Sequence, residues 1–137
     1  MKRTATANWN GSGKEGNGNL TTQSGVLSKT QYSYKSRFEQ GTGTNPEELL
    51  AAAHAGCFCM KLSFVLGSAG FTPDSIETTS EIELEGGAIR SSHITVKAKV
   101  PGITPERFQQ CVDETTRDCM VSKALSSLEI KVNAELI

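Results

Sequence analysis

Four cysteines and two histidines are the residues best able to do covalent or metal chemistry in this 137-residue chain. Cys57 and Cys59 fall in NPEELLAAAHAGCFCMKLSFVL, residues 45–66, a mostly apolar segment in which His54 just precedes them. On an α-helix the two cysteines point about 200° apart, so they make neither a comfortable disulfide nor a chelating pair. His54 shares the face of Cys57 in an H-x-x-C pattern. Zinc would want two more ligands, and the chain offers only His93, in a predicted strand, and distant cysteines. No metal and no cofactor is expected, and His54 reads as a packed, hydrogen-bonded core histidine.

Cys119 lies far downstream, at a predicted helix start, where the dipole favours a thiolate. With Cys57 it makes a workable redox pair, one sulfur attacking and the other resolving. The competing reading is two unconnected packed thiols, and pattern alone favours it, because free cysteine is among the most buried residue types. A buried Cys57 has a raised pKa and is inert unless a positive charge lies close. Arg37 is the candidate, since arginine keeps its charge in a dry site; otherwise it is a solvent-facing strand residue. Glu47 could anchor the guanidinium through a bidentate pair. Within one straight helix Glu47 and Cys57 are about 15 Å apart. They cannot serve one small substrate unless a second copy of the helix brings its own Glu47 alongside. Residue types thus propose Arg37, Glu47, Cys57 and Cys119 without assembling them.

The elements that would carry these groups follow from periodicity. Thr4–Trp9, Leu20–Ser24 and Gln31–Phe38 read as strands joined by Gly/Asn-rich loops. In the third, Tyr32, Tyr34, Ser36 and Phe38 share one face and Ser33, Lys35 and Arg37 the other. Asn45 can cap a helix with Pro46 at its first position and Glu47 and Glu48 in its first turn. Apolar residues from Leu49 to Leu66 surround most of that helix, so it must be buried on nearly all sides. So short a chain has little material to wrap it, which suggests a dimer packing two such helices, though the sheet of one chain could cover one. Gly67 and Gly70 stop it.

Ile76–Glu85 alternates with Ile82 and Leu84 inward, and Gly86-Gly87 turns the chain into Ile89–Val100. There Ile94, Val96, Ala98 and Val100 face in while Thr95, Lys97 and Lys99 face out. Thr104 caps a second helix, and Asp118 could cap a short third one through Leu125. LEIKVNAEL closes the chain with Leu128, Ile130, Val132, Ala134 and Leu136 inward. The order β-β-β-α-β-β-α-α-β is an α+β fold with antiparallel sheet, read as a single domain over residues 1–137.

Fourteen basic against fifteen acidic residues give a formal charge of −1. That balance, with no Lys/Arg cluster, argues against nucleic acid or an anionic membrane as the partner. The N-terminal MKRTATANWNGSG has two basic residues but no following apolar stretch. Leu49–Leu66 is interrupted by His54, Gly56, Lys61 and Ser63, so it reads as a core helix rather than a span. The expectation is a soluble, cytoplasmic protein.

Several stretches, in this order along nearly the whole chain, resemble the OsmC/Ohr family of osmotically induced and organic-hydroperoxide-resistance proteins. They are QSGVL (23–27), SRFEQGTGTNPEELL (36–50), AAAHAGCFCMKLS (51–63), GFTPDSIETT (70–79), VPGI (100–103) and DCMVSKAL (118–125). The N-P-E-E-L…H-A-x-C-F and C-x-V-S blocks are the specific part, and His54 resembles the OsmC branch. The resemblance implies an intertwined homodimer with two long central helices wrapped by sheets and active sites at the subunit interface. It implies a thiol-dependent peroxidase with Cys57 as peroxidatic nucleophile, Cys119 as resolving cysteine, and Arg37 and Glu47 as the supporting pair. Organic hydroperoxide is the implied substrate, with hydrogen peroxide weaker, and a dithiol or lipoyl-bearing protein the implied reductant.

Leu50, Phe58 and Leu62 are the expected apolar neighbours of the nucleophile. Met120 stands where the family commonly has proline, Gly56 where it has alanine, and Cys59 and Cys111 are additional, read as packing. The non-enzymatic alternative is the same dimer holding a small hydrophobic ligand, or sensing peroxide without rapid recycling.

Overall fold

The computed structural model describes all residues, 1–137. The chain divides into two compact units, residues 1–49 and 50–137. The class is α+β, with two three-stranded sheets and four helices.

In the first unit, β1 (Ala5–Asn10), β2 (Asn17–Thr22) and β3 (Thr30–Tyr32) form an antiparallel sheet in sequence order. Trp9 and Tyr32 pack across it with ring centroids 5.3 Å apart. The strand expected over Gln31–Phe38 stops at Tyr32, and Tyr34–Phe38 is a short helix, α1. The cause is a reciprocal cap. Ser36 N–H donates to Ser33 Oγ at 3.2 Å, and Ser33 N–H donates to Ser36 Oγ at 2.8 Å. These bonds hold two orphan amides that a strand would have sent to a neighbour.

Helix α2 (Pro46–Ser68) begins as its residue types dictate: Glu48 N–H donates to Asn45 Oδ1 at 2.8 Å. Its end is a Schellman motif. Phe71 N–H reaches Leu66 O, Gly70 N–H reaches Gly67 O, and Gly70 takes φ +90, so Gly70 is the stop and Gly67 stays helical. By length and composition α2 could cross a membrane. His54, Phe58, Leu62, Val65 and Leu66 nevertheless form one buried face. Fully buried, Phe58, Leu62 and Leu66 contribute roughly 2 kcal/mol of apolar burial each. The opposite face, with Ala53, Gly56, Met60, Phe64 and Gly67, is exposed at i, i+3/i+4 spacing.

The second sheet contains β4 (Ser75–Glu85), β5 (Ala88–Lys99) and β6 (Glu129–Leu136) in the order β4-β5-β6. Gly86 and Gly87, at φ +59 and +75, make the two-residue hairpin turn. Ile94, Val96, Ala98 and Val100 are buried, as alternation predicts. β6 departs from the expected antiparallel sheet: it runs parallel to β5, Ser92 opposite Ile130 and Val96 opposite Ala134. A parallel partner needs a long crossover, which here contains α3 (Pro105–Asp118) and α4 (Met120–Ala124). Thr104 caps α3, accepting from Arg107 N–H at 3.2 Å. The break after α3 falls at Cys119 rather than being capped by Asp118. Cys119, at φ −61 and ψ 122, is at once the C-cap of α3 and the N-cap of α4.

Candidate active site

Two pairs of side chains stand out, one in each unit. In the first, Arg37 on α1 meets Glu47 in the first turn of α2. Arg37 Nη2 donates to Glu47 Oε1 at 2.9 Å, and Nε donates to Oε1 at 3.1 Å and to Oε2 at 3.3 Å. Ser36 sets this geometry. Its hydroxyl donates to Thr44 O at 2.8 Å and its carbonyl accepts from Asn45 Nδ2 at 3.0 Å, tying α1 to the start of α2. The guanidinium also lies 5.1 Å over the Phe38 ring, and Arg37 edges a hollow of about 220 Å³ with Trp9, Tyr32, Tyr34 and Phe38. Arg37 therefore sits on a helix, not on the outer face of a strand, with its side chain 40% exposed against 12% for Glu47.

In the second unit, Cys57 on α2 and Cys119 at the α3–α4 joint bring their sulfurs to 3.3 Å. Both are free thiols. As neutral groups Cys119 donates to Cys57 Sγ. Burial pushes Cys57 up; the Val121 N–H offsets part of this, Cys119 adds to it, and the Met120 N–H offsets a little more, leaving the thiol above its ordinary value. Burial also acts upward on Cys119, but the hydroxyl and N–H of Ser122, the Cys57 contact and the Val121 N–H outweigh it and hold Cys119 below its ordinary value. Two thiols this close titrate as a unit that gives up one proton readily and the second reluctantly. Within this unit the first charge rests on Cys119, which has the richer set of donors.

A cleft of about 320 Å³ opens beside Cys57, lined by Gly56, Met60, Lys61, Phe64, Asp118 and Met120. Its apolar walls are not the expected ones: Phe58 and Leu62 are wholly buried in the core, so Met60, Phe64 and Met120 line the cleft instead. His54 is the hydrogen-bonded core histidine that was expected, with no exposed surface. Its Nδ1 lies 2.7 Å from Ser92 Oγ and its Nε2 2.8 Å from Ser122 Oγ. Burial lowers it from its ordinary value, so it is neutral at pH 7. Cys59 faces away from Cys57 and donates to Ile76 O at 3.4 Å, while Cys111 packs in the core.

Sequence reasoning missed the serines around His54. The available signal was Ser92 and Ser80 standing at inward positions of two alternating strands, where a polar group needs a buried partner.

The family model for OsmC-like protein matches residues 39–135, and the chain belongs to that family. It is 43% identical over 134 residues to peroxiredoxin OsmC of Escherichia coli strain K12, covering 95% of this chain and 93% of that one. It is 30% identical over 114 residues to organic hydroperoxide resistance protein OhrB of Bacillus subtilis strain 168, covering 78% and 80%. Among solved structures, an OsmC-like protein from Mycoplasma pneumoniae superposes with a TM-score of 0.79 over 100% of this chain and 98% of that one. At 14% identity it shows the shared fold alone.

Proposed function

We infer that the protein is a cysteine-based peroxidase that reduces organic hydroperoxides and, more weakly, hydrogen peroxide. The observation that carries this reading is the 3.3 Å approach of the Cys57 and Cys119 sulfurs, in hydrogen-bond contact and close enough for a side-chain adjustment to join them. The names of the curated relatives, a peroxiredoxin and an organic hydroperoxide resistance protein, support it.

In this mechanism Cys57 is the nucleophile. It lines the cleft, whereas Cys119 is fully buried. Once the pair has given up one proton, the other moves from Cys57 to Cys119 as a guanidinium approaches Cys57. Arg37, held in a fork by Glu47, supplies that charge in the assembled homodimer and stabilises the charge developing on the peroxide oxygens. The thiolate attacks the outer peroxide oxygen, the O–O bond breaks, and the alkoxide leaves as alcohol after taking a proton. Cys57 is then a sulfenic acid. Cys119 forms an S–S bond with the Cys57 sulfur as the S–O bond breaks, the hydroxide leaves as water with the Cys119 proton, and an external dithiol or lipoyl-bearing protein resets the pair by exchange. Met60, Phe64 and Met120 favour an alkyl peroxide by about 0.8 kcal/mol for each buried CH₂.

The homodimer is proposed from the uncovered face of α2, on which Met60 is 65% and Phe64 68% exposed. The working protein is read as one OsmC-like domain per chain, soluble and cytoplasmic. Treating reduced protein with one equivalent of alkyl hydroperoxide should remove two hydrogens in mass and link the peptides bearing Cys57 and Cys119. An unchanged mass, or a Cys57→Ser protein that consumes peroxide equally well, discards the reading. Sustained dithiol-supported turnover separates an enzyme from a ligand-binding or sensing dimer.

A further inference from the structure

The cleft beside Cys57 carries a positive charge that the chemistry above does not use. Lys61 follows Cys57 by one turn of α2, about 40° from it around the helix axis and about 5–6 Å away between Cβ atoms. The two side chains leave the same flank and line the same cleft of about 320 Å³. Lys61 is half-buried and belongs to none of the chain's ion pairs. Asp118, the other charged side chain on the cleft wall, has a partner: Arg117 Nε lies 3.4 Å from its Oδ1. Met60, Phe64 and Met120 make the remaining walls apolar. The Cys57 proton is moved by burial, the Val121 N–H, Cys119 and the Met120 N–H, and Lys61 is not among these influences. Its ammonium therefore stands off from the sulfur.

A cation in a largely apolar cleft needs water or an anion beside it. A substrate whose peroxide group meets Cys57 has its far end about one helical turn away, at Lys61. An alkyl end there would strip water from the ammonium and return nothing. A carboxylate would replace that water with a charge-assisted hydrogen bond. At about 320 Å³ the cleft lies at the low end of small-molecule sites, about 300–1,000 Å³, so it suits a short chain. Asp118 acts against the same ligand, and its pairing with Arg117 offsets part of that repulsion.

We propose that Lys61 is a specificity-determining residue: it selects short hydroperoxides that carry a carboxylate about one helical turn from the peroxide group. The proposal rests on the peroxidase reading above and names the substrate class within it. Lys61 makes and breaks no bond. The outer oxygen passes to the Cys57 sulfur as the O–O bond breaks, and the alkoxide takes a proton and leaves as a hydroxy acid. Its carboxylate stays against Lys61 throughout.

The test compares kcat/KM for 4-hydroperoxy-4-methylpentanoate with that for its uncharged amide, and reads their ratio. The wild type should prefer the carboxylate. Lys61→Gln should lower the ratio about tenfold, Lys61→Glu should reverse the preference, and Lys61→Arg should keep it. Asp118→Asn should raise it. Raising the salt to about 0.5 M should shrink the wild-type ratio and leave that of Lys61→Gln in place. A general disturbance of the cleft changes both probes alike, so a ratio that Lys61→Gln leaves unchanged overturns the proposal. A wild type that uses the two probes equally well overturns it too. A second readout needs no peroxide. In protein carrying Cys59→Ser and Cys119→Ser, labelling of Cys57 by 2-carboxyethyl methanethiosulfonate and by its amide is followed by mass, and Lys61→Gln should lower that ratio as well. If neither hydroperoxide is consumed while the labelling preference still depends on Lys61, the peroxidase reading fails and the anion site stands.

Discussion

Oxidation should make this protein harder to unfold. A bond between Cys57 and Cys119 closes a loop of 62 residues, and removing that freedom from the unfolded chain is worth about 4 kcal/mol on the chain-entropy relation. The native state loses little in return, because the sulfurs already stand 3.3 Å apart. They need approach by only about 1.3 Å to reach bonding distance. With a urea dependence of about 2 kcal/mol per molar, the unfolding midpoint rises by about 2 M. Reduced protein, protein oxidised with one equivalent of alkyl hydroperoxide, and Cys119→Ser protein given the same treatment are unfolded in urea at one protein concentration. The oxidised wild type alone should gain. An oxidised protein with a verified 57–119 link and an unchanged or lower midpoint would refute the claim that the reduced fold already holds the two sulfurs in place.

Arg37→Lys keeps the charge but loses the fork to Glu47; kcat/KM for an alkyl hydroperoxide should fall between about tenfold and a hundredfold with folding intact, and an unchanged value would remove the guanidinium from the mechanism. Because burial lowers His54 from its ordinary 6.5, the unfolded chain takes up a proton first as pH falls. The stabilisation is therefore fully present above about pH 6.5 and is lost below it. Urea midpoints measured from pH 7.5 down to 5 should show this decline, and His54→Gln should flatten it. Phe58→Ala, at a site with no exposed surface, should cost about 3–5 kcal/mol, read as a fall in the same midpoint.

Much of α2 and of the second unit is legible in residue types. The Asn45, Thr104 and Gly70 signals mark real helix ends, and the alternation around Ile94 and Val132 gives the inward faces, because capping and period-two burial are local effects. The first unit misleads at α1. Tyr32, Tyr34, Ser36 and Phe38 alternate like a strand, while the decisive signal is a Ser33–Ser36 cap with serine in the place where glutamate or glutamine usually stands. The parallel course of β6 has no local signature, since alternation is the same whichever way a strand runs. The partners of His54 are equally distant in sequence, and Ser92 and Ser122 come to it only through the packing of β5 and α4. Side-chain chemistry named Cys57 and Cys119 as candidates; tertiary packing brings them together.

The parallel pairing of β6 has a consequence for the order of assembly during synthesis. The helices around Cys119 lie between β5 and β6, so the edge of β5 that β6 covers stays open until residues 129–136 have left the ribosome. Until then β5 offers one bare edge, and the crossover helices pack beside it with that edge unpaired. A chain lacking β6 would keep every thiol and leave an unpaired edge of parallel sheet open to another chain.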